Sequence, residues 1–142
     1  FERQGAPVTS FVRLSDEKIR AKNQVYNPDC TLILDPSLLI SAPVFEGMKE
    51  GSVVVLNTKA ADARPLITNP NVKRVAWLDA TSIALEVLGR PITNTIMLGA
   101  FVKATGWVDK EALEKVVLQF FGEKNVETFR RGYDEVKLFD FS

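Results

Sequence analysis

Ser52-Val53-Val54-Val55-Leu56-Asn57-Thr58 is the stretch from which the fold can be read. Four apolar residues stand together with no polar alternation, and three of them are β-branched. A strand with one wet face would alternate, so this one is buried on both faces, as parallel strands between covering layers are. Asn57 and Thr58 then break the apolar run. The same pattern occurs on either side. Cys30-Thr31-Leu32-Ile33-Leu34 stops at Asp35-Pro36, and Arg74-Val75-Ala76-Trp77-Leu78 stops at Asp79-Ala80. The gaps between the runs are about twenty residues, long enough for the crossover that joins parallel neighbours. Three such strands predict an open α/β sheet. Asp35, Asn57 and Asp79 each fall just past a strand's carboxyl end, the edge at which open α/β sheets bind ligands. Residues of these types also cap helices and form turns, so that edge has two readings.

Working outward, short helical pieces are expected around Leu38–Ile40, capped by Ser37, and from Val44 to Lys49. Lys59 to Asn71, with Pro65 and Pro70, offers at most one short helix. After the third strand, Thr81 or Ser82 caps a helix that Gly89 stops. Pro91 to Gly106 then reads as a helix with almost no polar face: Pro91 suits a first turn, Ile96 to Val102 are all apolar or glycine, and Gly106 can end it in the left-handed conformation. Gly99 and Ala100 are small enough for another backbone to come close. Asn94 and Thr95 sit in the first turn, where N–H groups are free and the helix dipole is positive. They either cap the helix or offer an anion or amide contact. Asp109 caps Lys110–Phe121, whose Leu113, Val116, Val117 and Phe120 follow core spacing. Lys124 to Val136 carries Val126, Phe129 and Tyr133 at near-helical spacing. Leu138-Phe139-Asp140-Phe141 is an aromatic tail expected to dock on the domain or on a partner.

Upstream, Val8–Leu14 and Lys18–Lys22 read as a short charged hairpin at the sheet edge. The expectation is therefore one domain over residues 1–142: a three-layer α/β/α sandwich with a mainly parallel sheet and a short antiparallel hairpin at its edge. The polar opening Phe1-Glu2-Arg3-Gln4-Gly5-Ala6-Pro7 runs straight into a strand, which suggests a domain that is N-terminally incomplete. Its Glu2-Arg3-Gln4-Gly5 loop is a candidate substrate or partner contact.

Composition narrows the chemistry. Eighteen basic and eighteen acidic residues cancel, which argues against nucleic acid as a partner. No apolar run approaches the roughly 20 residues of a membrane span. With no histidine, a Ser-His-Asp or Cys-His mechanism and a His-bound zinc are excluded within the chain. The single cysteine, Cys30, excludes an internal disulfide and fits a reducing, cytoplasmic setting. Its apolar neighbours make it a core residue. Neither a G-x-G-x-x-G nor a Walker loop is present. Arg130-Arg131 reads as a solvated helix face. No catalytic residue and no metal ligand are assigned.

Three segments carry a resemblance. Arg3-Gln4-Gly5-Ala6-Pro7-Val8 with Phe11 and Arg13 is similar to the stretch "(R)-x-G-A-P-V-x-x-F-x-R" of the gamma subunits of pyruvate:ferredoxin oxidoreductase and related 2-oxoacid:ferredoxin oxidoreductases. Asn27-Pro28-Asp29, the strand, and Asp35-Pro36-Ser37-Leu38-Leu39 resemble that family's "Y-x-P-D-x-x-x-x-x-D-x-x-L-L". The run from Leu78 to Ala100 resembles its "D-A-T-x-I-A-x-E-x-L-G-x-P-I-x-N-T-x-M-L-G-A". The family's opening glycine-rich "G-x-G-G-Q-G" has no counterpart here.

The resemblance implies an enzyme of several chains, with alpha, beta and delta-type subunits beside this one. It decarboxylates a 2-oxoacid on thiamine diphosphate with Mg2+, passes electrons through [4Fe-4S] clusters to ferredoxin, and gives the acyl group to coenzyme A. It also runs in reverse, as pyruvate synthase. The thiamine site and cluster cysteines belong to the other subunits, and the gamma domain helps form the coenzyme A pocket. On that reading Glu2, Arg3 and Gly5 face the active centre, with Arg3 the cation for a coenzyme A phosphate. Asn94 and Thr95 meet a ligand or a neighbouring subunit. The alternatives are a purely structural subunit, or the same chemistry on 2-oxoisovalerate, 2-oxoglutarate or indolepyruvate.

Overall fold

The computed structural model describes residues 30–35 and 50–141. Strands β1 (Cys30–Ile33), β2 (Ser52–Asn57) and β3 (Val72–Leu78) lie side by side in sequence order. β1 pairs parallel with β2, and β2 parallel with β3. Every residue of β2 is buried, which is what its unalternated sequence requires. β4 (Lys137–Asp140) adds to β3 antiparallel, Trp77 opposite Lys137 and Arg74 opposite Asp140. The antiparallel edge among the described residues is therefore built from the aromatic tail, which docks on its own domain. Phe139 and Phe141 meet edge to face at 5.2 Å and pack on the sheet. The Phe141 amide donates to the Lys73 carbonyl at 2.7 Å. The hairpin expected over residues 8–22, and the helical pieces expected over 37–40 and 44–49, lie outside the described residues.

One face of the sheet is covered by helices. Val53, Val55, Ala76 and Leu78 meet Ala80, Ile83 and Ala84 of α1 (Ala80–Leu88) and Ile96, Met97, Ala100 and Ala104 of α2 (Asn94–Thr105). On the other face Ile33, Val54, Leu56, Val72, Val75 and Trp77 lie under Ala63, Leu66 and Ile67. These belong to the segment around a single 3-10 turn (Arg64–Leu66) that the sequence left least legible. Fully burying each Val or Leu is worth about 1.5–3 kcal/mol. α3 (Lys110–Phe121) and α4 (Glu123–Glu135) complete the helical side, where Phe101, Val102, Val117, Val126 and Phe129 form a second core. Cys30 lies partly buried between these helix-side cores, as its neighbours implied.

Several boundaries differ from the sequence reading, each for a local reason. α1 is capped by Asp79, not by Thr81 or Ser82: the Ser82 amide and hydroxyl both donate to its carboxylate, at 3.1 and 2.7 Å. α2 starts at Asn94, after Thr93, and not at Pro91. Proline's fixed φ suits a turn as well as a first helical turn, and the first helical bond runs from the Met97 amide to the Thr93 carbonyl. On α3 only Val117 is buried and Leu113 half-buried, while Val116 and Phe120 are exposed. The helix turns its 113/117 stripe inward and its 116/120 stripe aside. On α4, Val126 and Phe129 are buried as expected.

α2 and α4 cross in direct backbone contact. A Cβ on Gly99 would lie 2.0 Å from the Phe129 carbonyl oxygen, and one on Gly132 would lie 1.9 Å from the Ile96 carbonyl oxygen. Both positions must be glycine for the two backbones to touch. The close approach expected at Gly99 is thus met from within the chain. Gly132, its counterpart, carries no sequence signal beyond being a glycine inside a helix.

Candidate functional site

The carboxyl ends of the three parallel strands converge on Asn57. Its side chain is 2% exposed. Nδ2 donates to the Leu34 carbonyl at 2.9 Å and to Thr81 Oγ1 at 3.0 Å, while Oδ1 accepts from the Ala80 amide at 2.9 Å. One amide thus joins the ends of β1 and β2 to the start of α1, and its three bonds leave little hydrogen-bonding capacity for a ligand. Asp79 is half-buried and occupied by its cap. Asp35 is exposed, one residue beyond Leu34. Asn57 and Asp79 therefore lie on one edge, as the strand ends required, and both are engaged by the fold itself.

Beside Asp79 an open cleft of about 290 Å³ lies between α1, α4 and β4. Its lining includes Asp79, Ser82, Glu86, Arg131, Glu135 and Lys137. Arg131 Nε donates to Glu135 at 2.5 Å, and Nη1 pairs with Glu86 across the helices. The Glu135 carboxylate first, then that of Glu86, push the Arg131 guanidinium above its usual value. A guanidinium flanked by two carboxylates ties α4 to α1, and is not the solvated charge that its sequence suggested. Arg130 likewise pairs with Glu114 of α3.

Asn94 and Thr95 part company. Asn94 is exposed at the start of α2. Thr95 is 5% exposed and turned toward α4. Its Oγ1 donates to Asn125 Oδ1 at 3.1 Å and lies 2.6 Å from Thr128 Oγ1, which donates to the Asn125 carbonyl at 2.9 Å. At its other end α2 sits by the start of β3, where Arg74 Nη1 donates to the Ala104 carbonyl at 2.8 Å. Glu2, Arg3 and Gly5 lie outside the described residues. Among the described residues no group of three or more His, Cys, Asp or Glu side chains could hold a metal ion, and no helix is long and apolar enough to cross a membrane.

Comparison with known proteins decides the family. The sequence profile "Pyruvate ferredoxin/flavodoxin oxidoreductase" matches residues 1–135. The chain belongs to this family. It is 44% identical to the pyruvate/ketoisovalerate oxidoreductases common subunit gamma of Pyrococcus furiosus, over 98% of this chain and 78% of that one. Identity to pyruvate synthase subunit PorC of Methanothermobacter marburgensis is 47%, over 96% of this chain and 76% of that one. The gamma subunit of an NADH-dependent phenylglyoxylate dehydrogenase from Aromatoleum evansii is 46% identical, over 97% of this chain and 75% of that one. The crystal structure of the pyruvate oxidoreductase subunit PorC of Thermotoga maritima superposes with a TM-score of 0.70 at 38% identity, covering 80% of this chain and 66% of that one. The mainly parallel α/β fold and the gamma-type subunit of a 2-oxoacid:ferredoxin oxidoreductase, both expected from the sequence, are borne out.

Proposed function

We propose that the chain serves a pyruvate synthase-type complex, contributing to its coenzyme A site while the thiamine diphosphate, Mg2+ and [4Fe-4S] clusters are held by alpha, beta and delta-type subunits. The observation that carries this reading is identity of 42–47% to pyruvate synthase and related gamma-type subunits over nearly the whole chain. The residue inventory supports the division of labour. The one cysteine among these 142 residues cannot by itself ligate a cluster that typically takes four. Within the complex, pyruvate is decarboxylated on the thiamine, electrons leave through the clusters to ferredoxin, and coenzyme A takes the acetyl group.

In this reading Arg3 meets a coenzyme A phosphate from the Glu2–Gly5 loop. Asn94, exposed at the positive end of α2, is the member of the pair that faces solvent among the described residues. Thr95 acts by holding α2 against α4. Replacing Arg3 by Ala in the assembled enzyme raises the coenzyme A KM and leaves the pyruvate KM unchanged; an unaltered coenzyme A KM refutes the contact.

A scaffolding role is the second reading, favoured by the engagement of Asn57, Asp79 and Thr95 within the fold. Coenzyme A binding measured on the isolated subunit and on the complex separates the two. The phenylglyoxylate and ketoisovalerate relatives keep other 2-oxoacids in view. Dye reduction by the complex with pyruvate, 2-oxoisovalerate, 2-oxoglutarate and indolepyruvate, with and without coenzyme A, identifies the substrate.

A further inference from the structure

Tyr133 of α4 carries two ammonium groups on one ring. Lys103 Nζ, from the last turn of α2, lies 5.0 Å from the ring centroid, and Lys110 Nζ, from the first turn of α3, lies 4.7 Å from it. The two charges therefore stand within about 10 Å of each other, a separation that salt with a screening length of about 8–10 Å screens only in part. Each gains from the ring face, and each repels the other. Lys103 suits the negative end of α2, but Lys110 opens α3 at the positive end of that helix and is half-buried there. Neither ammonium forms an ion pair among the described residues. Asp109 is committed to capping α3 through the Ala112 amide, and the carboxylates of Glu114 and Glu135 are taken by Arg130 and Arg131. The exposed acids Glu111 and Asp134 pair with neither lysine. The Tyr133 hydroxyl likewise has no hydrogen-bond partner among the described residues. Three donors from three helices are thus brought together and left open, against the local electrostatics. Conflicts of that kind gather at functional sites.

We infer that Lys103, Lys110 and Tyr133 form a binding site for a phosphate monoester. Such a group carries about two negative charges and three acceptor oxygens, which matches two ammoniums and one hydroxyl in both charge and donor count. A carboxylate offers half that charge. Lysine serves phosphate as a point charge, and its flexible four-carbon stem lets both ammoniums swing from the ring onto one anion. Arg74 Nη1 on the Ala104 carbonyl places this end of α2 by the start of β3. The site is therefore at the other end of the sheet from Asn57 and Asp79, and uses neither. The same chemistry has two sources: the phosphate monoester of coenzyme A, which rests on the coenzyme A role proposed above, or a free phosphate.

The test measures thermal unfolding of the full chain in inorganic phosphate against chloride of matched ionic strength. The inference expects an excess rise in Tm of about 4 °C at ten times the dissociation constant. K103M/K110M should lose that excess, while K115M/K124M, which removes two exposed lysines elsewhere on α3 and α4, should keep it. Tyr133→Phe keeps the ring and drops one donor, and should weaken phosphate binding about tenfold. It carries the test if the double variant fails to fold. No excess in the parent, an equal excess in K103M/K110M, or its loss in K115M/K124M overturns the site. In the assembled complex, a coenzyme A KM that rises in K103M/K110M, with the KM for dephospho-coenzyme A unchanged, identifies coenzyme A as the source. Unchanged KM values beside a lost phosphate shift identify a free phosphate, and leave the site standing even if this chain makes no contact with coenzyme A.

Discussion

Replacing Gly132 with alanine tests the crossing of α2 and α4, on which the helical side of the fold depends. An added Cβ would stand 1.9 Å from the Ile96 carbonyl oxygen, where a carbon–oxygen contact normally rests at about 3.3 Å. The obstacle is backbone on both sides, so no rotamer change relieves it. The helices must part by about 1.4 Å at their closest point. Gaps of 0.5–1 Å already forfeit a quarter to a half of each dispersion contact, and the residues affected include Ile96 and Phe129, both fully buried. Overpacking costs about 1–3 kcal/mol, sometimes more. Alanine returns about 1 kcal/mol through its better helix propensity. The steric term wins, and we expect a net loss of about 2 kcal/mol, or about 6 °C in Tm for a chain of this size. Gly99→Ala should cost a similar amount, since its Cβ would meet the Phe129 carbonyl oxygen at 2.0 Å. The double variant should lose less than the sum, because helices already parted by one methyl accommodate the second. Thermal unfolding of the purified chain measures all three. A Gly132→Ala variant as stable as the parent, or more stable, would show that propensity governs this site and refute the argument.

Three further outcomes follow from the polar contacts. Asn57→Ala strands the Leu34 carbonyl and the Ala80 amide at the strand ends and should cost about 3 kcal/mol in denaturant unfolding; Asn57→Asp should not rescue it, because a carboxylate cannot donate to the Leu34 carbonyl. Arg74 donates to Asp140 at 2.5 Å and holds its carboxyl below the ordinary carboxylate value. That lowered value means the clamp on β4 is fully present above the unfolded pKa and is lost as pH falls through the folded one. Hydrogen exchange at the Phe141 amide should therefore quicken at acid pH beyond its intrinsic pH dependence, and this excess should vanish in Asp140→Asn. Thr95→Val removes a hydroxyl from the α2–α4 contact and should cost about 1 kcal/mol in thermal unfolding, while leaving the coenzyme A KM of the complex unaltered.

The parts of the fold that could be read in the sequence are those fixed by local composition. β1, β2 and the second half of β3 are short runs without polar alternation, rich in β-branched residues and bounded by turn residues, which favours a buried strand over a buried helix. The helix stops at Gly89, Gly106 and Gly122 were legible because each has the positive φ that glycine alone adopts readily. What escaped reading depends on neighbours distant in sequence. Four residues without alternation, Lys137 to Asp140, become a strand only because β3 offers an open edge. Gly132 matters only because the Ile96 backbone of α2 lies against it. Helical spacing identified Val116 and Phe120 as apolar, but spacing says which residues share a face and not what covers that face. At the strand ends, Asn57 and Asp79 were placed correctly as an edge. Their partners were hidden, because Thr81 and Ser82 could each have capped α1 and only the observed bonds assign one to Asn57 and the other to Asp79.

That assignment bears on how the subunit works. Open α/β sheets bind ligands at the strand ends because three backbones terminate there with polar groups to offer. Here Asn57 makes three bonds to Leu34, Ala80 and Thr81, and Asp79 accepts two from Ser82. Both Nδ2 protons of Asn57 are engaged, so a ligand acceptor arriving there would have to displace a fold contact, and a buried group left unpaired costs about 1–3 kcal/mol. On the proposal that this chain contacts coenzyme A, those contacts are better sought at side chains that the described fold does not already hold, such as Asn94, and in the Glu2–Gly5 loop. If Asn57 were instead a ligand contact, Asn57→Ala would raise the coenzyme A KM beyond what its loss of stability explains. The outcome expected here is the reverse: a less stable subunit whose assembled complex keeps its coenzyme A KM.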